Sequence, residues 1–393
     1  MTAIKPSPAD AHLAALIDDF ADAIAALVGD GDARWRQGLR EVPRHLFIPP
    51  AGWADADDGS RAIDRGAGEP GWWAAVYSDA PIMTQADDGA TDPASGTGTA
   101  TSAASQPSLV LDFLDLLDVQ DGHRVLEIGT GTGWTAALLS WRVGGGNVTS
   151  IEVDEHVATR ARVNLDRAAY TPRLITGDGA AGWPAGAPYD RVHITCGVER
   201  VPPAWIEQTR PGGRIVLPWM PGNPIGYQVR LDVLGDGTAI GRLHRPANYM
   251  LLRSQRKERI WNPHDADAAE RTTTRLDPRE IDRGGRAAEL VIVAQVPDIG
   301  WFPVPEDDGS FSLLLFEQGR PDGSWAECDY EPGHDGFEVT QCGDRCLWDE
   351  VSAAYLRWAS LGRPVLDRFG LTIAPEGQAV WLDAPDRVLG SRP

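Results

Sequence analysis

Three glycines at alternate positions, Gly129, Gly131 and Gly133, follow the apolar run Val125, Leu126 and Ile128 and precede a helix-like stretch, Trp134 to Trp141. Strand, glycine turn and helix in that order open an α/β nucleotide-binding unit. Without a Cβ, glycine lets the backbone turn tightly and lie close against a ligand. The turn is not a phosphate loop, because it lacks the Gly-Lys-Ser/Thr ending and the G-x-G-x-x-G spacing. Glu127, just before the first glycine, would repel a pyrophosphate and welcome a cation. Glu152 ends the next apolar run, Val148-Thr-Ser-Ile151, and an acid about 20 residues past the glycines at a strand end suits ribose hydroxyls. Asp178, in Gly177-Asp-Gly179 after a third strand from Arg173 to Thr176, suits an adenine amino group or simply a turn.

Other residues carry chemistry less specifically. Ser105 stands in Ser105-Gln-Pro107, directly before a helix from Ser108 to Val119. Its hydroxyl is placed to cap the helix, a role compatible with a functional one. Thr101 and Ser102 are lesser candidates in the same stretch. His45, within Val42-Pro-Arg-His-Leu-Phe-Ile-Pro49, reads as structural or solvated before it reads as functional. Cys328, His334, Cys342 and Cys346 are all residue types that zinc accepts. They lack a C-x-x-C pair, and no metal is expected.

The elements that must position these residues follow from periodicity. Residues 8 to 28 carry Leu13, Leu16, Ile17, Phe20, Ile24 and Leu27 at helical spacing. Residues 84–104, almost wholly Ala, Asp, Gly, Ser and Thr, read as a flexible loop, either a flap over a site or a disordered insertion. Beyond Glu152 come a helix from Val157 to Ala169, a fourth strand from Tyr189 to Thr195, and a fifth from Arg214 to Leu217 after Pro211-Gly-Gly213. A hairpin follows, Tyr227 to Leu234 with Thr238 to Leu243 around Gly235-Asp-Gly237. The expected fold is therefore α/β, a Rossmann-like sheet over residues 1–253 with a helical start at 1–50. A charged linker at 254–286 and a C-terminal α+β domain at 287–393 complete it. That last domain should begin with a strand, Ala288 to Val296, and its aromatic residues would line a groove or pack a core.

The 393 residues carry a formal net charge of −21. So acidic a surface argues against binding a nucleic-acid backbone, and it suits a peptide or a small molecule. No apolar run is long enough to span a membrane, and the start lacks the basic and apolar regions of a signal peptide. Four cysteines and no signal peptide fit a cytoplasmic, reducing setting without disulfides.

The pattern E-x-G-x-G-x-G resembles the glycine motif of methyltransferases that use S-adenosylmethionine (SAM), whose sulfonium is a cation. The resemblance narrows over residues 20 to 250. Val42-Pro-Arg44 with Phe47-Ile-Pro49, Ser105-Gln-Pro107, Arg124 to Gly133, Gly177-Asp-Gly179 with Gly182-Trp-Pro184, and Pro211-Gly-Gly213 are together similar to the protein L-isoaspartate O-methyltransferases. The resemblance implies SAM as cofactor. It implies Ser105 at the methyl-accepting carboxylate, and Glu127, Gly129, Thr130, Gly131, Gly133, Glu152, Asp178, Gly179 and Thr195 around SAM. The repair enzymes of that family are single-domain proteins with a compact lead-in to Ser-Gln-Pro. The long Ala/Gly/Thr stretch and the C-terminal extension resemble instead actinobacterial homologues that act with ribosomally synthesised, modified peptides such as lanthipeptides and graspetides. The resemblance then implies a cyclised precursor peptide as partner and an aspartate carboxylate as acceptor, with an ester that forms aspartimide or isoaspartate. General isoaspartyl repair is the alternative, and a SAM-binding peptide-recognition module without turnover is a third.

Overall fold

A computed structural model describes residues 8–29, 31, 33–56, 59–222, 226–257 and 261–392. The chain divides into two compact units: Met1–Cys196 with Ala204–Leu217, and Gly197–Pro203 with Pro218–Pro393.

The first unit opens with helices α1 (Pro8–Val28) and α2 (Ala33–Glu41), strands β1 (Ala51–Ala56) and β2 (Gly59–Asp64), helix α3 (Glu69–Val76), and strands β3 (Ile82–Ala86) and β4 (Ala100–Ala104). The four strands form an antiparallel sheet in the order β2-β1-β3-β4. Helix α4 (Pro107–Leu117) leads into the main sheet, built from β5 (Val125–Ile128), α5 (Trp134–Val143), β6 (Val148–Glu152), α6 (Glu155–Arg167), β7 (Arg173–Thr176), β8 (Tyr189–Ile194), α7 (Pro203–Glu207) and β9 (Thr209–Trp219). Its order is β9-β8-β5-β6-β7, with every pairing parallel. All four residues of β5 are buried, as a central parallel strand covered on both faces requires. The chain moves outward from β5 to β6 and β7, then returns to the far side of β5 as β8. That reversal leaves a crevice at the carboxyl end of β5, where ligands bind in such sheets.

The second unit continues with β10 (Tyr227–Val233), β11 (Ala239–Pro246), β12 (Glu270–Thr274), α8 (Pro278–Arg283), α9 (Gly285–Gln295), β13 (Ile299–Pro305), β14 (Phe311–Glu317), β15 (Trp325–Tyr330), β16 (Phe337–Cys342), α10 (Leu347–Ser360), β17 (Phe369–Ala374), β18 (Gly377–Leu382) and β19 (Val388–Arg392). Here β10, β11, β17, β18 and β19 run antiparallel in that order, and a second antiparallel sheet runs β12-β16-β15-β14-β13.

Several expectations are corrected. The stretch 84–104 is not a flexible loop; it carries the end of β3 and all of β4, paired from Ile82↔Ala104 to Ala86↔Ala100. The segment 254–286 is not a plain linker, since it holds β12 and α8. Residues 288 to 296 do not form a strand but most of α9, with Leu290, Val291, Ile292 and Val293 buried. The division falls at 196 and 217 rather than 253, so the hairpin β10–β11 belongs to the second unit.

Among the described residues no helix is long and apolar enough to cross a membrane, and no group of three or more His, Cys, Asp or Glu is placed to hold a metal ion. Cys328 pairs with Val339 and Cys342 with Trp325 across β15 and β16, so the two thiols point to opposite faces of that sheet. All four cysteines are free.

Candidate functional site

The glycine turn occupies the crevice at the end of β5. Gly129 has φ +94°, and a Cβ there would lie 2.5 Å from Thr195 Oγ1. Only glycine fits, because the conformation is left-handed and the space is taken. The Gly129 amide donates to Ile151 O at 2.8 Å, which ties the turn to β6. Thr195, at the end of β8, donates its hydroxyl to Ile128 O at 3.0 Å and also lies within hydrogen-bond reach of Gly129 O. Gly133 opens α5 in a left-handed conformation. At the end of β7, Gly179 is buried, and a Cβ there would lie 2.4 Å from Ile128 Cγ2. Asp178 beside it is exposed, with one carboxylate oxygen accepting from Ala180 N at 2.9 Å.

Two glutamates organise this turn in different ways. Glu152, the last residue of β6, accepts from Gly131 N at 2.9 Å through Oε2 and from Asp154 N at 3.1 Å through Oε1. It therefore holds the turn as well as facing the crevice. Glu127 is 0% exposed, in register with Ser150 on β6 and His193 on β8. Ser150 Oγ donates to Glu127 Oε2 at 2.5 Å, and Thr130 Oγ1 lies 2.6 Å from Ser150 Oγ. With the serine proton committed to Glu127, Thr130 is the donor of the second bond. A hydroxyl relay thus joins Glu127 to the glycine turn. Glu127 Oε1 and His193 Nδ1 have no hydrogen-bond partner and lie 4.0 Å apart. Burial pushes the Glu127 carboxyl up to about 8 against the stabilising bond from Ser150, with Glu152 adding to the rise. Burial pushes His193 down to about 4.

Ser105 directly follows β4, and the Ala103 carbonyl of that strand is the nearest atom to a Cβ built on Gly131, at 3.7 Å. The Ser105 hydroxyl has no hydrogen-bond partner among the described residues, and it does not cap α4. The head of that helix is served by Asp79, which accepts from Ser108 N at 2.8 Å, Ser108 Oγ at 2.6 Å and Gln106 Nε2 at 2.9 Å. Ser102 accepts from the Thr84 hydroxyl at 3.3 Å. The two line a cavity of about 230 Å³ together with Phe47, Pro49, Gly131 and Thr132 of the glycine turn, and Asn164, among others. His45 Nδ1 lies 2.5 Å from the Tyr77 hydroxyl, and burial holds its ring down to about 4, so it serves as packing rather than as a charged group.

Sequence reasoning assigned no role to three residues that prove structural for the site. Arg44 is fully buried and donates to five carbonyls, those of Val76, Ser78, Ala80, Ala104 and Ser105, at 2.9 to 3.4 Å. It pins the Ser105 backbone to the turn after α3, and the signal was present as the arginine of Val42-Pro-Arg44. Ser150 completes the relay to Glu127; its place two residues before Glu152 in a buried strand was the only hint. Gln85 accepts from Thr101 Oγ1 at 2.9 Å and donates to Asp154 Oδ2 at 3.2 Å, which locks the β3–β4 hairpin to the head of α6. Asp154 caps that helix, accepting from His156 N at 2.9 Å and Val157 N at 3.1 Å.

SAM fits what these residues offer. A buried carboxylate oxygen without a partner suits its cationic end, an acid at the end of β6 suits its ribose, and the turn leaves backbone rather than side chain at its centre. With a parallel sheet that reverses at β5, this is the fold and site of a SAM-dependent methyltransferase. The sequence matches the family described as protein-L-isoaspartate(D-aspartate) O-methyltransferase over residues 57–257, just over half of the chain. It is 35% identical over 240 residues to protein-L-isoaspartate O-methyltransferase 1 of Anaeromyxobacter, covering 60% of this chain and 94% of that protein. The chain belongs to that family. Protein-L-isoaspartate O-methyltransferase 2 of Shewanella sediminis is 36% identical over 198 residues, which cover 50% of this chain and 66% of that relative. A solved protein-L-isoaspartate O-methyltransferase shares the fold over 93% of this chain and 99% of its own, with a TM-score of 0.52 and 20% identity. The residues beyond the methyltransferase sheet therefore do not by themselves set this chain apart.

Proposed function

We propose that the protein transfers a methyl group from SAM to the side-chain carboxylate of an aspartate in a constrained, ribosomally made peptide. The observation that carries this reading is the Ser105 hydroxyl. It has no hydrogen-bond partner among the described residues, it stands two residues beyond the Ala103 carbonyl that lies against the glycine turn, and it follows a hairpin where the repair enzymes have a short lead-in. When bound, SAM supplies an electrophilic methyl group on a sulfonium centre. The substrate carboxylate is already ionised near neutral pH, so no general base is required. The methyl group would pass to one carboxylate oxygen, with the electron pair of the C–S bond retained by sulfur. Ser105 donates to the other oxygen and fixes the direction of approach, and catalysis is chiefly positioning. Gly129, Gly131 and Gly133 with Thr130 and Thr195 keep the turn against the cofactor. Glu127 would balance the positive charge, Glu152 would accept from ribose hydroxyls, and Asp178 and Gly179 would border the adenine. Attack by the next residue's amide nitrogen on the ester carbonyl then closes an aspartimide. The amide proton leaves with the methoxy group as methanol, and later hydrolysis gives isoaspartate.

The coverage of the Anaeromyxobacter relative supports a second reading, general repair of isoaspartyl residues. Intact-mass spectrometry separates the two. The protein and SAM are incubated with an isoaspartyl hexapeptide and, separately, with a cyclised aspartate-containing precursor peptide. A gain of one methyl group or a loss of water on the cyclised peptide alone supports tailoring, and Ser105→Ala should then lose about tenfold to a hundredfold in kcat with SAM binding unchanged. Methylation of the hexapeptide alone overturns tailoring in favour of repair.

A further inference from the structure

Helices cover one face of the sheet of β12 to β16; among the described residues the other face is open beyond the row of Phe316, Trp325 and Cys342, which the stretch from Trp261 to Asp265 covers. Leu313, Leu315, Cys328 and Val339 are fully buried on the covered side, where α8 and α10 pack, and Gln341 accepts there from Trp348 N at 3.3 Å. Register puts the alternate residues on the other side. One row across adjacent strands reads Phe302, Leu314, Glu327, Thr340 and Arg271. The next reads Val304, Ser312, Asp329, Glu338 and Thr273. The β13–β14 side of this face is mostly apolar, with Phe302, Val304 and Leu314. Phe302 is 36% exposed and stacks on Phe316 with ring centroids 5.0 Å apart, and Leu314 is half-buried beside it.

The other half is acidic in a manner that costs stability. Asp329 stands directly opposite Glu338, and Glu327 shares its strand face two residues away. Like charges directly opposite each other in a sheet are destabilising. Burial and the neighbouring Asp329 both raise the Glu327 carboxyl. Within these rows the compensation is an exposed ion pair, Arg271 to Glu338 at 3.7 Å, and a hydroxyl bond from Ser312 to Asp329 at 2.5 Å. An exposed pair of that kind contributes little.

We propose that this open face docks a cationic, partly apolar segment of the peptide substrate, outside the residue that is methylated. The proposal rests on the peptide-substrate reading above. Lysine or arginine side chains would neutralise Glu327, Asp329 and Glu338, and apolar side chains would cover Phe302 and Leu314. Charge complementarity selects this occupant over an acidic segment, and the burial of one ring on another supplies the apolar contact.

The test is fluorescence anisotropy with the full-length protein, using a labelled peptide that alternates lysine, serine and leucine and a counterpart with glutamate in place of lysine. The lysine peptide should bind and the glutamate peptide should not. The double variant Glu327→Lys/Glu338→Lys should weaken the lysine peptide by about tenfold or more. Thr340→Lys, which adds a cation to the row and leaves the acids in place, should weaken it less. SAM binding should be unchanged in both variants, which reports that the first unit is intact. Wild-type binding of neither peptide, or equal binding of the lysine peptide by wild type and double variant, overturns the proposal. Methyl transfer is scored separately. Binding at this face without transfer counts against the proposed reaction, and transfer without binding here counts against the surface.

Discussion

Glu127 carries a conflict that a bound cation would resolve. Its strand is sealed on both faces, so desolvation raises its carboxyl to about 8, while the same burial lowers His193 to about 4. At neutral pH both groups are therefore uncharged. Their 4.0 Å separation is too long for a hydrogen bond, and no ion pair forms between them. A cation in the crevice favours the ionised carboxylate, so SAM affinity should rise with pH through about 8. The effect on stability has the opposite sign. The native carboxyl holds its proton up to about 8 and the unfolded one only to about 4.5, so Glu127 costs nothing below that window. Across it, stability falls as pH rises, by an amount on the order of a few kcal/mol. Glu127→Gln keeps an acceptor for Ser150 and presents an N–H toward His193. Above pH 6.5, where the lowered His193 no longer contributes a slope, the variant's thermal midpoint without SAM should fall less with rising pH than the wild type's, and its SAM affinity, read by calorimetry, should not rise through pH 8. Parallel pH profiles for the two proteins would show that Glu127 titrates elsewhere. That a buried-strand acid stands just before the glycines was legible in the sequence. Its partners were not, because Ser150 and His193 reach it only through sheet register.

The hairpin β3–β4 is held by side chains as much as by its ladder. Gln85 is 3% exposed and uses both ends of its amide, toward Thr101 on β4 and Asp154 at the head of α6. Gln85→Leu leaves the Thr101 hydroxyl and a buried Asp154 oxygen without these bonds, at a cost of about 1–3 kcal/mol. Because β4 leads directly to Ser105, the variant should raise KM for the peptide and lower kcat, with a smaller change in SAM affinity. Thr101→Val, which keeps the bond to Asp154, should do less of both. Initial rates at varied peptide and a thermal melt check this, and an unchanged KM and melting point in Gln85→Leu would show that the hairpin is held by other contacts. This hairpin was illegible for a physical reason. Alanine, glycine, serine and aspartate have little intrinsic preference for strands, and here the strands arise from pairing with β1 and from the glutamine relay. The error at α9 has a different origin. Leu290-Val-Ile-Val293 is a short run buried all round, and such a run has no period that separates strand from helix. By contrast β5, α5, β6 and β7 fall where the pattern put them. Each has a glycine turn, an acid at its end or a clear apolar stretch to mark it.

At the scale of the molecule two properties matter, connectivity and charge. The hairpin β10–β11 is legible in the sequence, but not that β11 also pairs with β17, from Ala239↔Ile373 to Arg242↔Gly370, across more than a hundred residues of chain. Pairings at that separation leave no local mark in the sequence, so the unit boundary was placed too late. The charge was legible from composition alone. At −21 the surface surrounds the protein with a negative potential that extends about one Debye length, roughly 10 Å at 0.1 M salt. Such a field speeds the encounter with cationic ligands and slows it with anionic ones. For an aspartate-containing peptide flanked by lysines, kcat/KM should fall several-fold as salt rises from about 0.02 to 0.3 M, while the same peptide flanked by glutamates should gain. The double variant Glu327→Lys/Glu338→Lys separates this field from docking at the open sheet face. It removes two acids from that face but leaves most of the net charge in place, so the salt dependence should persist in kcat/KM even where the lysine peptide binds less tightly at low salt. Initial rates on the two peptides, for both proteins across the salt series, decide it. Slopes of the same sign for the lysine and glutamate peptides would show that the field does not steer the substrate. A slope abolished by the double variant would locate the whole effect at the sheet face.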